Sequence, residues 1–343
     1  PGTIIKGDKQ TKAALIAERG GKLIAKGTAT EPIVFTSEEA VGSRKPGDWG
    51  GIILCGKAKN NQTEQQIEGG PRTKHGGADD ADNSGALSYV RIEFAGYPFQ
   101  KDKEINGLTF GSVGSGTQID HVQVSYSNDD SFEWFGGTVN CKYLVAYKGW
   151  DDDFDTDNGF SGKVQYGLSL RDSKIADTSQ SNGFESDNCA DGATVAPRTK
   201  ATFSNITFVG PKVLDSKFQN TTDYINAGAY NPNNGSALGK FQAAMQIRRS
   251  SNLNCINSVV LGWPIGLIID GEKGNTVKDA KDKKFKLQNV YFAGMDAIGT
   301  DANKIYDDYL YDAAQKKDID KNQKSYSNTF FFSEPSNKYF DSW

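Results

Sequence analysis

Residues 129–170 read DDSFEWFGGTVNCKYLVAYKGWDDDFDTDNGFSGKVQYGLSL and pass twice through the same succession of segments. Each pass has a short segment that starts at a phenylalanine, Phe132 or Phe154, then a glycine corner, then a longer run of alternating apolar residues. Alternation with a period of two is typical of a strand with one buried face. The stretch therefore predicts short strands that recur with a period of about 22 residues.

The same two segments recur along most of the chain. The short segment recurs as GLTFGS, SFEWFGG, DFDTDNG, GFESDN, AMQIRRS and GLIIDG. Its first apolar position is held by Leu108, Phe132, Phe154, Phe184, Met245 and Leu267. The longer segment predicts a second column of stacked residues, namely Ile92, Val124, Val145, Leu168, Ile206, Val259 and Val290. Because no single repeat buries its inner face alone, stacking must build the core.

These repeats predict an all-β fold, a right-handed parallel β-helix with loop insertions. A β-sandwich is the alternative, but hairpin signals between paired runs are few. We expect one β-helix domain over residues 1–295, with insertions near 60–84 and 212–240. Residues 296–343 should form a C-terminal cap or extension of the same domain, either helical over 301–325 or irregular, because an open solenoid end needs a cover.

Composition excludes some classes of partner. The chain has 343 residues and a net charge of −4, so it lacks the basic footprint of a nucleic-acid-binding protein. No apolar run approaches the length of a membrane span. Four cysteines (Cys55, Cys141, Cys189 and Cys255) form no CxxC pair and predict buried free thiols. The chain opens PGTIIKG, without an initiator Met or a signal sequence, and we expect a trimmed mature fragment.

Several stretches resemble a known group of proteins. They are GGKLIAKGTATEPIVFTS, GDWGGIILCGKA, the segment 129–166 and NITFVGP. They are similar to the pectin-lyase-like β-helix proteins that Bacteroidetes secrete or display at the surface, often as lipoproteins. The resemblance covers about residues 2–295. It implies the β-helix fold and an extracellular or outer-membrane location, with lipid anchoring in the full-length precursor. It implies no reaction, because this group is functionally uncharacterised and brings no catalytic motif.

The stretch WDDDFDTDNGF, residues 150–160, carries five aspartates. If Phe132, Phe154 and Phe184 point inward, alternation sends the residue after each of them outward. The outward column is then Thr109, Glu133, Asp155, Glu185, Gln246 and Ile268, and a parallel column is Gly111, Phe135, Asp157, Asp187, Arg248 and Asp270. Stacked carboxylates about 4.8 Å apart repel each other, so they require full solvation, raised pKa values or a cation.

Two interpretations of the aspartates remain open at this point. One is a solvated polar face, since Asp suits tight corners. The other is a bound Ca²⁺, which prefers many oxygen ligands. The candidate metal ligands are Asp129, Asp130, Asp151, Asp152, Asp153, Asp155 and Asp157. The spacing does not match an EF-hand, because the glutamate at the twelfth loop position is absent.

Either interpretation is compatible with a ligand groove along the same face. The candidate ligand-binding residues are Glu133, Phe135, Trp150, Asp155, Asp157, Glu185, Asp187 and Arg248. Trp150 at a coil corner is the better aromatic candidate for stacking, whereas Trp134 shares the inward parity of Phe132 and is expected in the core. Arg248 and Arg249 are expected to neutralise the acids, with ligand anchoring as the alternative.

The sequence favours binding over catalysis. The chain lacks G-x-S-x-G, P-loop and H-E-x-x-H motifs, and we assign no catalytic residue. We therefore expect a non-enzymatic, monomeric surface protein that binds a glycan or a cell-surface protein. The alternatives are a polysaccharide lyase or glycoside hydrolase acting on acidic polysaccharide, and a structural spacer or adhesin stalk.

Overall fold

The structure is a computed structural model of the chain. It describes residues 1–67, 73–100, 103–226, 228, 239–300, 311–312, 317–318 and 326–343. Two large parallel sheets dominate, and each coil of the chain contributes one strand to each sheet in turn. This is a right-handed parallel β-helix, as the sequence predicts.

The larger sheet has eleven strands, all paired in parallel. In spatial order ten of them are β1 (Ile4–Gly7), β4 (Ile33–Ser37), β8 (Gly85–Glu93), β12 (Gln118–Ser125), β14 (Cys141–Tyr147), β16 (Lys163–Leu170), β18 (Thr202–Val209), β20 (Asn254–Leu261), β22 (Leu287–Ala293) and β26 (Lys338–Phe340). The eleventh, β3 (Leu23–Lys26), pairs with β8 beside β4.

The second sheet has nine parallel strands and carries the acidic column. In spatial order they are β2 (Ala14–Ala17), β5 (Gly51–Cys55), β11 (Leu108–Gly111), β13 (Phe132–Phe135), β15 (Phe154–Asp157), β17 (Phe184–Ser186), β19 (Ala243–Ile247), β21 (Ile265–Ile269) and β23 (Ala297–Thr300). Three antiparallel pairs lie outside the two sheets, β6 (Gln65–Gln66) with β7 (Lys74–His75), β9 (Pro98–Gln100) with β10 (Lys103–Glu104), and β24 (Tyr311–Asp312) with β25 (Lys317–Asp318).

The core is a stack of like residues between the two sheets. Phe132, Phe154 and Phe184 are fully buried and pair in register along the nine-stranded sheet. The rings of Phe132 and Phe154 stack with centroids 5.7 Å apart. Leu108, Met245 and Leu267 continue the same row, so the predicted inner column is confirmed.

The predicted column of the larger sheet is wrong from Val145 onward. Ile92 and Val124 do pair, but the next partner is Ala146, which leaves Val145 and Leu168 on the outer face. Strand pairing places Val145 beside Gln123 and Leu144 beside Val122, one residue away from the predicted alignment, because runs that alternate with the same period leave the register between neighbouring coils open. A slip of one residue moves the chosen side chain to the opposite face of the sheet.

The described parts of the loops and the C-terminal segment add small elements to the coil. Helix α1 (Thr222–Asn226) lies between β18 and β19, α2 (Thr276–Lys281) lies between β21 and β22, and α3 (Tyr326–Ser333) precedes β26. Of the helix expected over 301–325, the structure describes only Tyr311–Asp312 and Lys317–Asp318, and these residues form the antiparallel pair β24–β25 and not a helix. The segment after residue 295 still supplies β23 and β26 to the two sheets, so coiling continues there. All four cysteines are free and buried, as predicted.

Candidate functional site

The acidic residues of the nine-stranded sheet share one row on its outer face. Strand pairing places Glu133 beside Asp155 and Asp155 beside Glu185, as the sequence predicts. The row continues at both ends with neutral, buried residues, Thr109 on one side and Gln246 on the other. Negative charge is therefore concentrated in three consecutive coils.

A second row of oxygen-bearing side chains lies at the corner just before these strands. Asp130 Oδ1 accepts a hydrogen bond from the backbone N–H of Asp152 at 2.8 Å, and Asp152 Oδ1 accepts from the N–H of Asn182 at 2.5 Å. Asn182 Oδ1 accepts from the N–H of Ala243 at 3.0 Å. Each side chain thus fixes the corner of the next coil. For both aspartates, this leaves the second carboxylate oxygen available to a ligand.

The two rows together form overlapping groups of carboxylates, which we call the acidic cluster. In each group one oxygen per residue lies within 4.8 Å of the others. The groups are Asp129 with Asp130 and Asp151, Asp130 with Glu133 and Asp155, and Asp152 with Asp155 and Glu185. The structure thus brings together five of the predicted metal ligands and adds two glutamates that the sequence assigned to ligand binding. Asp153 and Asp157 belong to none of these groups.

Two buried oxygens, one in the acidic cluster and one in the neighbouring Asn106, lack the hydrogen bonds that burial normally requires. Asp155 Oδ1 and the Oδ1 of Asn106 are buried and have no hydrogen-bond partner among the described residues. Asn106 is 2% exposed, and its amide nitrogen donates to Glu133 Oε2. An unsatisfied buried acceptor costs about 1–3 kcal/mol. Acceptor-only oxygens at this spacing fit a hard, oxygen-preferring cation such as Ca²⁺.

Burial and mutual repulsion raise the pKa values of the cluster. Burial is the largest cause of the raised pKa of Asp130, Asp152 and Asp155, and the neighbouring carboxylates raise each pKa further. Burial also raises the pKa of Glu185 to about 7, although Arg248 acts in the opposite direction. Without a compensating cation the cluster therefore retains protons near neutral pH.

Two arginines lie at the C-terminal edge of the cluster. Arg248 forms ion pairs with Glu185 and with Asp187, the latter at 2.8 Å, and Arg249 pairs with Asp187 at 2.8 Å. Burial alone would lower the pKa of Arg248, but Glu185 and Asp187 outweigh it and raise that pKa. The predicted neutralising role is what these contacts show. Asp187 is committed to the two arginines.

Asp153 is removed from the cluster by a buried arginine. Its carboxylate accepts from Arg171 at 2.9 Å and from Ser169, and both Asp153 and Arg171 are fully buried. Arg171 also donates to the backbone carbonyls of Trp150 and Asp151, so it holds the corner that carries the aspartates. The expectation that Asp153 ligates a metal is therefore wrong, because its charge is already paired inside the protein.

The aromatic predictions are mixed. Trp134 is fully buried and stacks on Phe110, as expected. Trp150 is also 0% exposed, so the expectation that it offers a stacking face is wrong. Phe135 does lie on the outer side but is 4% exposed, because the segment that contains His75 covers it.

A groove of about 670 Å³ lies next to the acidic cluster. Its lining includes Gln62 and Glu64 from the loop after β5, together with Phe135, Asp157 and Asp191. Burial, followed by the charge of Asp187, raises the pKa of Asp157 to about 8. Phe135 and Asp157 each stand two residues after a carboxylate of the row, so Asp157 belongs to the groove and not to the cluster.

Asn106, Asn182 and Arg171 were missed by the sequence reasoning. A signal for the two asparagines exists, because an Asn or Asp stands two residues before the inward apolar residue in INGL, DDSF, DDDF and SNGF. Aligning those four pieces by this position reveals the corner row. Arg171 has no comparable signal, since its role depends on a contact with a loop 18 residues earlier.

The stacked parallel coils define the class of a parallel β-helix solenoid. The family model described as pectate-lyase like beta helix domain matches residues 1–332, and the chain belongs to this family. No curated protein and no solved structure matches the chain. Among the described residues, no helix has the length and apolar character that crossing a bilayer requires.

Proposed function

We propose that this protein binds a glycan along the outer face of its nine-stranded sheet, through a Ca²⁺ ion held by the acidic cluster, and does not cleave it. The observation that carries the proposal is the presence of three sets of three carboxylates, each set with one oxygen per residue within 4.8 Å of the others. Membership of a pectate-lyase-like family supports a carbohydrate ligand. The predicted location at the cell exterior agrees with such a role.

The cation follows from electrostatics. Carboxylates this close repel each other by about 1 kcal/mol per pair in water and by several at the lower dielectric of a partly buried site. Arg248 and Arg249 engage only Glu185 and Asp187, which leaves Asp130 and Asp155 without a cationic side chain in salt-bridge contact among the described residues. A Ca²⁺ between the rows would take ligands from Asp130, Asp155 and Glu133 and would also engage the buried Asp155 oxygen.

The glycan would reach the ion from the adjacent groove. Sugar hydroxyl or carboxylate oxygens can complete the coordination shell of Ca²⁺, which accepts six to eight oxygen ligands. Asp157 and the side chains of Gln62 and Glu64 line the path and offer hydrogen bonds to hydroxyls. In this arrangement the ion supplies the affinity, and the groove orients the chain of sugars.

The test is calorimetric titration with hexasaccharides of galacturonate and of neutral sugars, with Ca²⁺ or with a chelator, and with chromatography of the reaction mixture. We expect Ca²⁺-dependent binding, no released products, and a loss of binding in Asp155→Asn. The matched control is Asp223→Asn, an exposed aspartate on α1. Binding that persists in the chelator and in Asp155→Asn would contradict the proposal.

A glycoside hydrolase is the second candidate, and it is favoured by the pKa values of about 7 for Glu185 and about 8 for Asp157, since a general acid must retain its proton. Against it, the oxygens of Asp155 and Glu185 lie within 4.8 Å, at or below the roughly 5–9.5 Å spacing of paired catalytic carboxylates. Products released from any of the glycans would establish this candidate.

A lyase mechanism has less support. It would need Arg248 to remove a proton, but its two acidic partners hold this guanidinium in the charged form. A structural spacer remains the third hypothesis. It would be favoured if neither affinity nor turnover were detected with any glycan of the panel.

A further inference from the structure

The eleven-stranded sheet carries a continuous stack of aromatic rings on its outside, which we call the aromatic stack. It consists of Tyr89, His121, Tyr143 and Tyr166, one from each of four successive coils. The ring centroids are 4.3, 4.4 and 5.0 Å apart, and the planes lie within 20° of parallel. Tyr143 and Tyr166 remain 44% and 42% exposed, so burial does not explain these rings.

These four positions have a backbone that is unfavourable for large side chains. All lie in the left-handed region, with φ between 51° and 61°. The equivalent positions in the next three coils are Asn205, Asn257 and Asn289, also left-handed. Asparagine tolerates this conformation far better than tyrosine does. The chain thus accepts backbone strain in four coils and places partly exposed rings there, and strain of this kind often marks a functional site.

A groove of about 450 Å³ runs alongside the aromatic stack, a volume typical of small-ligand sites. The outward residues Gln123, Val145 and Leu168 line it, and Thr28 and Pro32 lie at one end. None of the described residues that line it carries a carboxylate, in contrast to the acidic cluster.

The two basic groups in the groove are already paired. Arg91 lies 3.8 Å from Glu93, and His121 lies 2.9 Å from Asp120. Neither side chain is therefore left as an unpartnered cation that faces the groove. The groove therefore suits an uncharged ligand with apolar faces and hydrogen-bonding edges.

The stack ends at Tyr166, where the next coil has the smaller Asn205 in place of a ring. Tyr166 therefore has the smaller amide of Asn205, and not a further ring, on that side, and it is 42% exposed. Asn205 is exposed, its Oδ1 accepts from Ser204 at 2.7 Å and from Gln165 at 3.5 Å, and its amide nitrogen donates to none of the described residues. An aromatic face beside a free amide donor matches the C–H face and hydroxyl edge of a pyranose ring.

We infer that this groove is a second binding site, for an uncharged oligosaccharide. One sugar ring packs on the exposed face of Tyr166, with a hydroxyl accepting from the amide of Asn205. The following sugars lie along Leu168, Val145 and Gln123. The site is separate from the acidic cluster and independent of the proposed function, because it requires no cation.

The test is calorimetric titration in a chelator with three neutral β-1,4-linked hexasaccharides, of glucose, xylose and mannose, and with hexagalacturonate. We expect at least one neutral hexasaccharide to bind at about 1 mM or below, and Tyr166→Asn to weaken it about tenfold or more. Tyr166→Asn introduces the residue that the neighbouring coils use, so it should fold normally. Tyr291→Asn, a 37% exposed tyrosine of the same sheet outside the groove, should bind as the native chain does.

Val145→Glu provides a second variant that leaves the stack intact and places a charge on the floor of the groove, and it should also abolish binding. The inference is overturned if none of the neutral hexasaccharides binds, if only hexagalacturonate binds, or if both variants retain full affinity. A lower melting temperature of Tyr166→Asn with unchanged affinity in Val145→Glu would assign the stack a purely structural role and would likewise overturn it.

Discussion

The two outer faces of the solenoid stack like residues on like residues, with opposite energetic results. On the eleven-stranded sheet, Tyr143 and Tyr166 stabilise each other, since parallel offset rings attract. On the nine-stranded sheet, Asp155 and Glu133 repel each other at a similar separation. Coiling therefore repeats the same side-chain interaction from coil to coil. A row of aromatic rings stabilises itself, whereas a row of carboxylates needs protons, arginines or a cation to offset its repulsion.

The largest effect should come from replacing Arg171, whose buried guanidinium pairs with Asp153 and binds the backbone carbonyls of Trp150 and Asp151. Arg171→Met leaves the carboxylate of Asp153 buried and unpaired, and we expect a loss of about 3–5 kcal/mol of unfolding free energy in denaturant titrations. The control is Arg91→Met on the other sheet, whose exposed pair should be worth about 1 kcal/mol at most. Adding Asp153→Asn to Arg171→Met should restore part of the loss; equal effects of the two arginine substitutions would contradict this assignment.

The second largest effect should come from Ca²⁺, which we expect to stabilise the protein through the acidic cluster and not through the aromatic stack. Ca²⁺ at about 100 times its dissociation constant would add about 2.7 kcal/mol to the stability, which raises the melting temperature of a chain of this length by roughly 3–5 °C. Scanning calorimetry with Ca²⁺ and with a chelator measures this shift. Asp130→Asn should diminish it, whereas Tyr143→Asn should not. Identical melting temperatures in Ca²⁺ and chelator would remove the ion from the acidic cluster.

The pH dependence in chelator should be smaller, and its sign is set by the raised pKa values. A carboxyl group whose pKa is higher in the folded state stabilises the fold while protonated, and this contribution is lost as the pH rises through the folded pKa. Because burial raises the pKa of Glu185 to about 7 and that of Asp157 to about 8, the melting temperature should fall between pH 5 and pH 8. Asp155→Asn should flatten this slope. A melting temperature that rises over this interval in chelator would contradict the raised pKa values.

The smallest effect is expected at the end of the aromatic stack. Tyr166→Asn loses one ring pair, worth about 0.5–1.5 kcal/mol, but relieves about 1–2 kcal/mol of left-handed strain. The net change in stability should be within about 1 kcal/mol and tend toward stabilisation, as chemical denaturation can measure. A loss above 2 kcal/mol would show that the stack is a main support of the sheet.

The parts of the fold that repeat are the parts that the sequence predicts. Phe132, Phe154 and Phe184 recur at one position with the same parity, so the inner column and the acidic row beside it follow from alternation alone. In the larger sheet, alternation does not determine which residues of neighbouring coils lie side by side, and a one-residue error in register puts Val145 on the wrong face.

The site is predictable only where its residues follow that period. Asp152 and Asp153 are adjacent in sequence, yet one lies in the cluster and the other faces Arg171 inside the protein. Which of the two is sequestered depends on a partner from a different strand. The burial of Trp150 likewise depends on tertiary packing that no local pattern contains.

Asp130 and Asp152 each accept a hydrogen bond from a backbone N–H of the following coil, and this arrangement affects how the number of coils can change in evolution. Each of these hydrogen bonds links two neighbouring coils only. A single repeat therefore contains the residues that it needs to dock on the coil beside it. Duplicating one repeat of about 22 residues would insert another coil that carries its own hydrogen bond to the next coil and its own outward acidic side chain. The row of carboxylates could thereby be extended by genetic duplication, one rung at a time, without redesigning either end.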